Sequence, residues 1–231
     1  MKTNMGKSRI LFLALAAIVI AGVAVAIGRQ PEASTAAETS TSTTAPATVD
    51  TAKALEARTL GDANAPITIN EYASLTCSHC AHFSTETFDK LKEKYIDTGK
   101  VRFIFNDFPL NAPAMEASMV ARCLPHDRYF QFIKFLFETQ EQWAFSPKYS
   151  DSLKQNAKLL GLGEEDYTTC TSNEKMKTEL VTRMQTAAKE HSIDATPTFI
   201  ITAKPGSEQK ISGAQPLDAF SKVIDPLLEG K

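Results

Sequence analysis

The chain has 231 residues, 43% hydrophobic and 23% charged, enough apolar material for one full core or two small ones once any tail is set aside. A net charge of −2 and a pI near 6.1 leave no basic excess, which argues against nucleic acid as a partner. No internal repeat is visible.

In chain order, Lys2, Lys7 and Arg9 precede an uncharged apolar run from Ile10 to Ile27, closed by Gly28 and Arg29. As a helix this run extends roughly 27 Å, close to the thickness of a bilayer core. Residues 1–29 therefore read as a signal anchor or, given Ala24-Val25-Ala26, as a cleaved signal peptide. Both readings export the rest of the chain, because the basic flank stays in the cytoplasm. Residues 30–54 are rich in Ser, Thr, Ala and Pro and nearly devoid of large apolar side chains, so they read as a disordered linker. Its reach, on the order of 30 Å, would hold an anchored domain off a membrane; after cleavage it would be a tail.

The folded part begins near Leu55. Thr59 to Pro66 carries turn chemistry, and Ile67-Thr68-Ile69-Asn70-Glu71-Tyr72-Ala73 alternates apolar and polar residues as a strand does. Cys77-Ser78-His79-Cys80 comes immediately after. Next is a helical pattern bearing Phe83, Phe88, Leu91 and Tyr95, ending near Gly99, and then a strand from Val101 to Phe108 stopped by Pro109. Strand, helix and strand at this spacing predict a right-handed crossover between parallel strands.

Two cysteines at a strand-to-helix junction read as a redox-active dithiol. Free backbone N–H groups and the positive end of the helix dipole favour a thiolate at the first position, so Cys77 is the expected nucleophile. Cys80, one turn in, is the expected resolving thiol, and a donor or cation at His79 would favour the Cys77 thiolate further. Zinc would need more ligands than His79 and His82 add, and Ala81 stands where covalent haem attachment requires histidine, so neither metal nor cofactor is expected.

After Pro109 the pattern turns helical across 110–192, with segments at 112–123, 129–139, 150–160 and 174–191; Asn173 is placed to cap the last. Cys123 and Cys170 fall in this insertion. Four cysteines allow three pairings; the local Cys77 and Cys80 pair leaves these two for each other. Such a bridge closes a loop of about 48 residues and would stabilise by about 4 kcal/mol in the chain-entropy picture. It reads as structural, with tuning of the dithiol as the alternative. Strands at 198–202 and 210–213 form a hairpin around Lys204-Pro205-Gly206-Ser207. A helix bearing Leu217, Phe220, Val223 and Ile224 closes the chain.

The run from Glu71 to Cys80, succeeded by inserted helices and then Ala195-Thr196-Pro197-Thr198-Phe199, resembles the DsbA-like branch of the thioredoxin fold across 55–228. The resemblance implies an α/β thioredoxin-like fold with an inserted all-helical domain, in which Cys77 and Cys80 cycle between dithiol and disulfide. It places Pro197 at the family's cis-proline, with Thr196 before it, and Glu71 where the family often carries a buried acid near the resolving thiol. A cis bond there would leave the flanking backbone free to pair with an extended substrate. Ser78 departs from the proline of the best-known oxidases.

The resemblance further implies an exported, monomeric thiol:disulfide oxidoreductase in the periplasm or at the extracytoplasmic face of a bacterial membrane. It would oxidise reduced secreted or envelope proteins and be reoxidised by a DsbB-type membrane partner. The competing expectations are a reductase or isomerase, including one serving a metal-binding maturation factor, and a non-catalytic module that holds peptides beside Pro197.

Overall fold

The structure, a computed structural model, describes residues 49–203 and 206–230. The apolar run Ile10 to Ile27, linker residues 30–48, and Lys204 and Pro205 of the expected turn lie outside the described residues. Among the described residues no helix is long and apolar enough to cross a membrane.

Strand β2 (Ile67–Ala73) alternates buried and half-buried positions, as its sequence does, and sits at the centre of a five-stranded sheet. It pairs in parallel with β3 (Val101–Asp107), from Ile67 opposite Val101 to Ala73 opposite Asp107. On its other side it pairs antiparallel with β4 (Thr198–Ala203), Tyr72 opposite Thr198. β5 (Ser207–Ser212) forms the outer antiparallel edge, and β1 (Arg58–Leu60) closes the opposite edge against β3. β1 falls partly in the stretch expected to be a turn; three residues are too few to display a period. Just upstream, residues 51–54, expected to be linker, form a short helix α1 (Thr51–Ala54). Asp50 caps it through bonds from the Ala52 and Lys53 N–H groups.

The helix after the dithiol is segmented. α2 (Ser78–Glu86) stops at Thr87, whose hydroxyl donates to the Gln215 carbonyl at 3.1 Å; α3 (Phe88–Leu91) and a π-helical turn (Lys92–Ile96) complete the path. Phe83 of α2 packs on Phe199 at 4.5 Å and on Phe220 at 5.5 Å between ring centroids. This aromatic cluster joins α2, β4 and α10 (Leu217–Leu228).

Between β3 and β4 lie α4 (Ala112–Cys123), α5 (His126–Glu138), α6 (Gln140–Trp143), α7 (Tyr149–Leu159), α8 (Glu164–Thr171) and α9 (Glu174–Glu190). α5 starts three residues earlier than its apolar pattern implies. α8 has no counterpart among the expected segments; its sequence is almost wholly polar, and only Tyr167 and Cys170 are buried. Cys123 and Cys170 are bridged, joining α4 to α8.

A buried ion pair joins the insertion to the sheet. Arg122 on α4 donates from Nε to Asp107 Oδ2 at the end of β3, with both side chains almost wholly buried. Its Nη1 donates to the Ala54 and Glu56 carbonyls at 3.1 and 3.2 Å, so the same guanidinium fastens the N-terminal segment. Removing one member of such a pair leaves a buried charge alone, which costs more than removing both. Arg122→Met is therefore expected to lower unfolding free energy by about 3–5 kcal/mol in urea titrations, and adding Asp107→Leu to recover most of that loss. An unrecovered double variant would show that the pair's partners, rather than its charges, carry the stability.

Candidate active site

Cys77 is the N-cap of α2, in extended conformation at φ −86° and ψ 121°. Its N–H closes a turn on the Ser74 carbonyl at 3.1 Å, and its own carbonyl accepts the first helical bond from Ala81 N–H, also at 3.1 Å. The loop Ser74–Cys77 is thus just long enough to turn the chain from β2 into α2. Cys77 is half-buried, Ser78 and His79 are exposed, and Cys80, facing inward one turn later, has no exposed surface. The two cysteines are unbridged.

Opposite the thiol, the Thr196–Pro197 peptide is cis. Cys77 Sγ donates to the Thr196 carbonyl at 3.3 Å, across 119 residues of sequence. Thr198 Oγ1 holds the bend by donating to the Ala195 carbonyl at 2.7 Å, and Gly213 N–H donates to the Pro197 carbonyl at 2.8 Å. Thr196 Oγ1 is buried and without a hydrogen-bond partner among the described residues. Sequence and structure thus bring Cys77, Cys80, Thr196 and Pro197 to one point.

The two thiols are driven apart electrostatically. A hydrogen bond from the Cys80 thiol, overcoming partial burial and joined by Thr196 and the Cys80 and His79 backbone N–H groups, lowers Cys77 to about 5 from an ordinary 9.0. Burial, followed by the neighbouring Cys77 and Glu71, raises Cys80 strongly. His79 acts on the thiol through its backbone N–H; its exposed imidazole is not among the causes.

Glu71 points into the core from the buried face of β2, in register with Phe105 on one side and Phe199 on the other. It is 3% exposed and its Oε1 has no partner among the described residues. Burial alone raises it to about 8 from 4.5. A cavity of about 20 Å³ borders it, lined by Phe83, Ser84, Phe103, Phe105 and Lys134 among others. That space admits one water molecule.

The insertion grips the active loop from two sides. Thr76 Oγ1 donates to Asn111 Oδ1 at 3.1 Å, the same oxygen that caps α4 by accepting from Ala114 N–H at 3.0 Å. Ser74 Oγ accepts from Leu110 N–H at 3.4 Å. From α6, Gln140 Nε2 donates to the Leu75 carbonyl at 2.8 Å and to the Cys77 carbonyl at 3.1 Å. Neither Asn111 nor Gln140 stands out in the sequence. The Asn-Ala-Pro start of α4 is a cap signal that could draw attention to Asn111, whereas Gln140 carries no local signature.

The family model described as Thioredoxin matches residues 53–226. A solved structure of Wolbachia pipientis alpha-DsbA1 is 35% identical, covers 76% of this chain and 92% of its own, and superposes with a TM-score of 0.71. A Rickettsia prowazekii protein named as a protein-disulfide oxidoreductase is 30% identical over 171 residues, 74% of this chain; the match spans 61% of the relative's own length. Disulfide bond formation protein D of Bacillus subtilis is 26% identical over 184 residues, 74% of this chain and 77% of that one. The matched stretch includes β2, the Cys77–Cys80 turn, the inserted helices and the cis-Pro197 loop. The chain belongs to the thioredoxin family, in its DsbA-like branch.

Proposed function

We propose that the protein is an exported thiol:disulfide oxidoreductase that donates the Cys77–Cys80 disulfide to reduced secreted or envelope proteins. The observation that carries this reading is the asymmetry of the pair: Cys77 is lowered to about 5 and Cys80 is raised by burial. A stabilised thiolate at the more accessible of the two positions favours the dithiol, which makes the disulfide a strong oxidant.

The exchange runs in two balanced steps. A substrate thiolate attacks Cys77 Sγ, the Cys77–Cys80 bond breaks, and Cys80 leaves as a thiolate that takes a proton. The substrate's second thiolate then attacks the substrate sulfur of the mixed disulfide and releases Cys77 as a thiolate. Two electrons pass to the cysteine pair; of the two substrate protons, one is balanced by protonation of Cys80 and the other goes to solvent. Glu71, neutral at moderate pH because of its burial, is suited to supply the proton Cys80 needs. The backbone beside cis-Pro197 offers the substrate an edge to align on. A further turnover needs an external acceptor for the two electrons, for which a DsbB-type membrane reoxidase is the fitting class. The name of the Bacillus subtilis relative, which speaks of disulfide bond formation, supports the same direction.

Equilibration with glutathione buffers is expected to give a potential on the oxidising side, nearer the roughly −120 mV of DsbA than the roughly −270 mV of thioredoxin. A value at the thioredoxin end would replace the oxidase reading with a reductase. Thiolate absorbance should titrate with a midpoint of about 5, and Cys77→Ser should abolish that transition. Because the folded value lies below the ordinary 9.0, the contribution of Cys77 ionisation to the reduced form's stability is fully present above about pH 9. It shrinks as pH falls and is gone below about pH 5.

Glu71 works in the opposite sense. Its raised value means that its protonated state supports the fold fully below pH 4.5, and that support is lost as pH rises toward about 8. Glu71→Gln is therefore expected to stabilise the protein by about 3 kcal/mol near pH 7 in urea titrations, with no gain below pH 4.5. A gain independent of pH would show that packing, not ionisation, sets the cost.

A further inference from the structure

We infer that Gln140 is a positioning residue for the reacting thiol, fixing the peptide plane that succeeds Cys77 and so keeping the first-turn N–H groups of α2 aimed at Sγ. This rests on the dithiol being the reacting group, whichever way electrons flow.

Gln140 is 3% exposed and sits 63 residues from Cys77 in sequence, on a helix belonging to the insertion rather than to the thioredoxin core. Its amide has two N–H groups, and both acceptors lie in the four-residue loop between β2 and α2, at 2.8 Å from the Leu75 carbonyl and 3.1 Å from the Cys77 carbonyl. Satisfying a buried carbonyl would account for the first bond, since Leu75 lies outside any strand or helix. It does not account for the second. The Cys77 carbonyl already accepts from Ala81 N–H, so the bond from Gln140 goes beyond what burial requires and acts on orientation.

Orientation reaches the sulfur through one peptide unit. The Cys77 carbonyl and Ser78 N–H share a plane, and rotation of that plane swings the start of α2. The His79 and Cys80 N–H groups, which stabilise the thiolate, belong to this same turn. Two donors, Ala81 N–H along the helix and Gln140 Nε2 across it, fix the plane from different directions. α6 is itself held firmly enough to serve as a support. Trp143, 1% exposed, donates from Nε1 to the Leu136 carbonyl at 2.8 Å, and Ala144 N–H donates to the Gln140 carbonyl at 2.9 Å.

The test compares Gln140→Met, of similar size and without a donor, with Gln140→Leu, which also lacks one, and with the exposed control Gln142→Met. In both Gln140 variants the Cys77 thiolate midpoint should rise by about one pH unit, the scale of one hydrogen bond. The glutathione equilibrium should move about tenfold toward the disulfide. Gln142→Met should leave both at the wild-type value. In the unmutated protein, the nuclear magnetic resonance signals of the Gln140 side-chain amide should shift with the same midpoint as the thiol, a measurement that needs no variant to fold. Amide signals blind to the Cys77 titration, or folded variants that melt earlier with an unchanged midpoint and equilibrium, would overturn the assignment and leave Gln140 a structural residue. The wild-type potential reports the direction of electron flow, whereas the ratio of variant to wild type reports Gln140, so the two readings fail separately.

Discussion

The constraint on which the site depends is the register of the three central strands. Parallel pairing puts Ala73 opposite Asp107, and antiparallel pairing puts Tyr72 opposite Thr198, so β2 and β3 end where β4 begins. The chain leaving β2 must turn into α2 at that edge, which brings Cys77 there; the chain entering β4 must arrive there, which brings Thr196 and Pro197. A one-residue slip of β4 would turn Phe199 and Ile201 out of the core, so burial of those side chains enforces the meeting of thiol and proline loop. The contact of Cys77 with Thr196 across 119 residues is thus a by-product of hydrophobic register.

The same register explains the destabilising acid. A strand residue facing the core between Phe105 and Phe199 should be apolar, yet position 71 is glutamate, fully buried and with one oxygen unpartnered among the described residues. Desolvation removes its charge at moderate pH. The Asp107 and Arg122 pair, equally buried, adopts the other solution, in which both charges stay and neutralise each other. One fold therefore contains a carboxylate made tolerable by a cation and a carboxyl made tolerable by a proton. Only the second has a proton to give, and it lies near enough to Cys80 to raise that thiol.

How much is legible in the sequence depends on the range of each signal. The Cys-x-x-Cys turn, the alternation of β2 and the cap at Asn173 act within a few residues, and all three lie where their local patterns place them. The Cys123–Cys170 bridge is reachable by counting, because only two cysteines remain. β1 is too short and α8 too polar for periodicity to reveal either. The break at Thr87 depends on a bond to Gln215, 128 residues away. Gln140 belongs to the same class. A glutamine at a helix start looks like any solvated residue, and only the folded chain shows that both its N–H groups point into the active loop. Glu71 is half legible, since its place in the motif is apparent but the face it takes is decided by the pairing of β2.

The insertion also enters and leaves the sheet at this edge. It begins after β3 at Pro109 to Asn111, whose groups bond Ser74 and Thr76, and it returns to β4 through Ala195 and the cis-Pro197 turn. An insertion at the far end of the sheet could add bulk without touching the dithiol. One rooted here is mechanically continuous with both walls of the site, and α5 packs along α2 besides. Its rigidity is then a property of the active site, reinforced at a distance by the α4–α8 bridge and the Arg122 anchor. In this chain the thioredoxin core creates the helix terminus whose N–H groups help to lower Cys77, and the inserted helices hold that terminus in place.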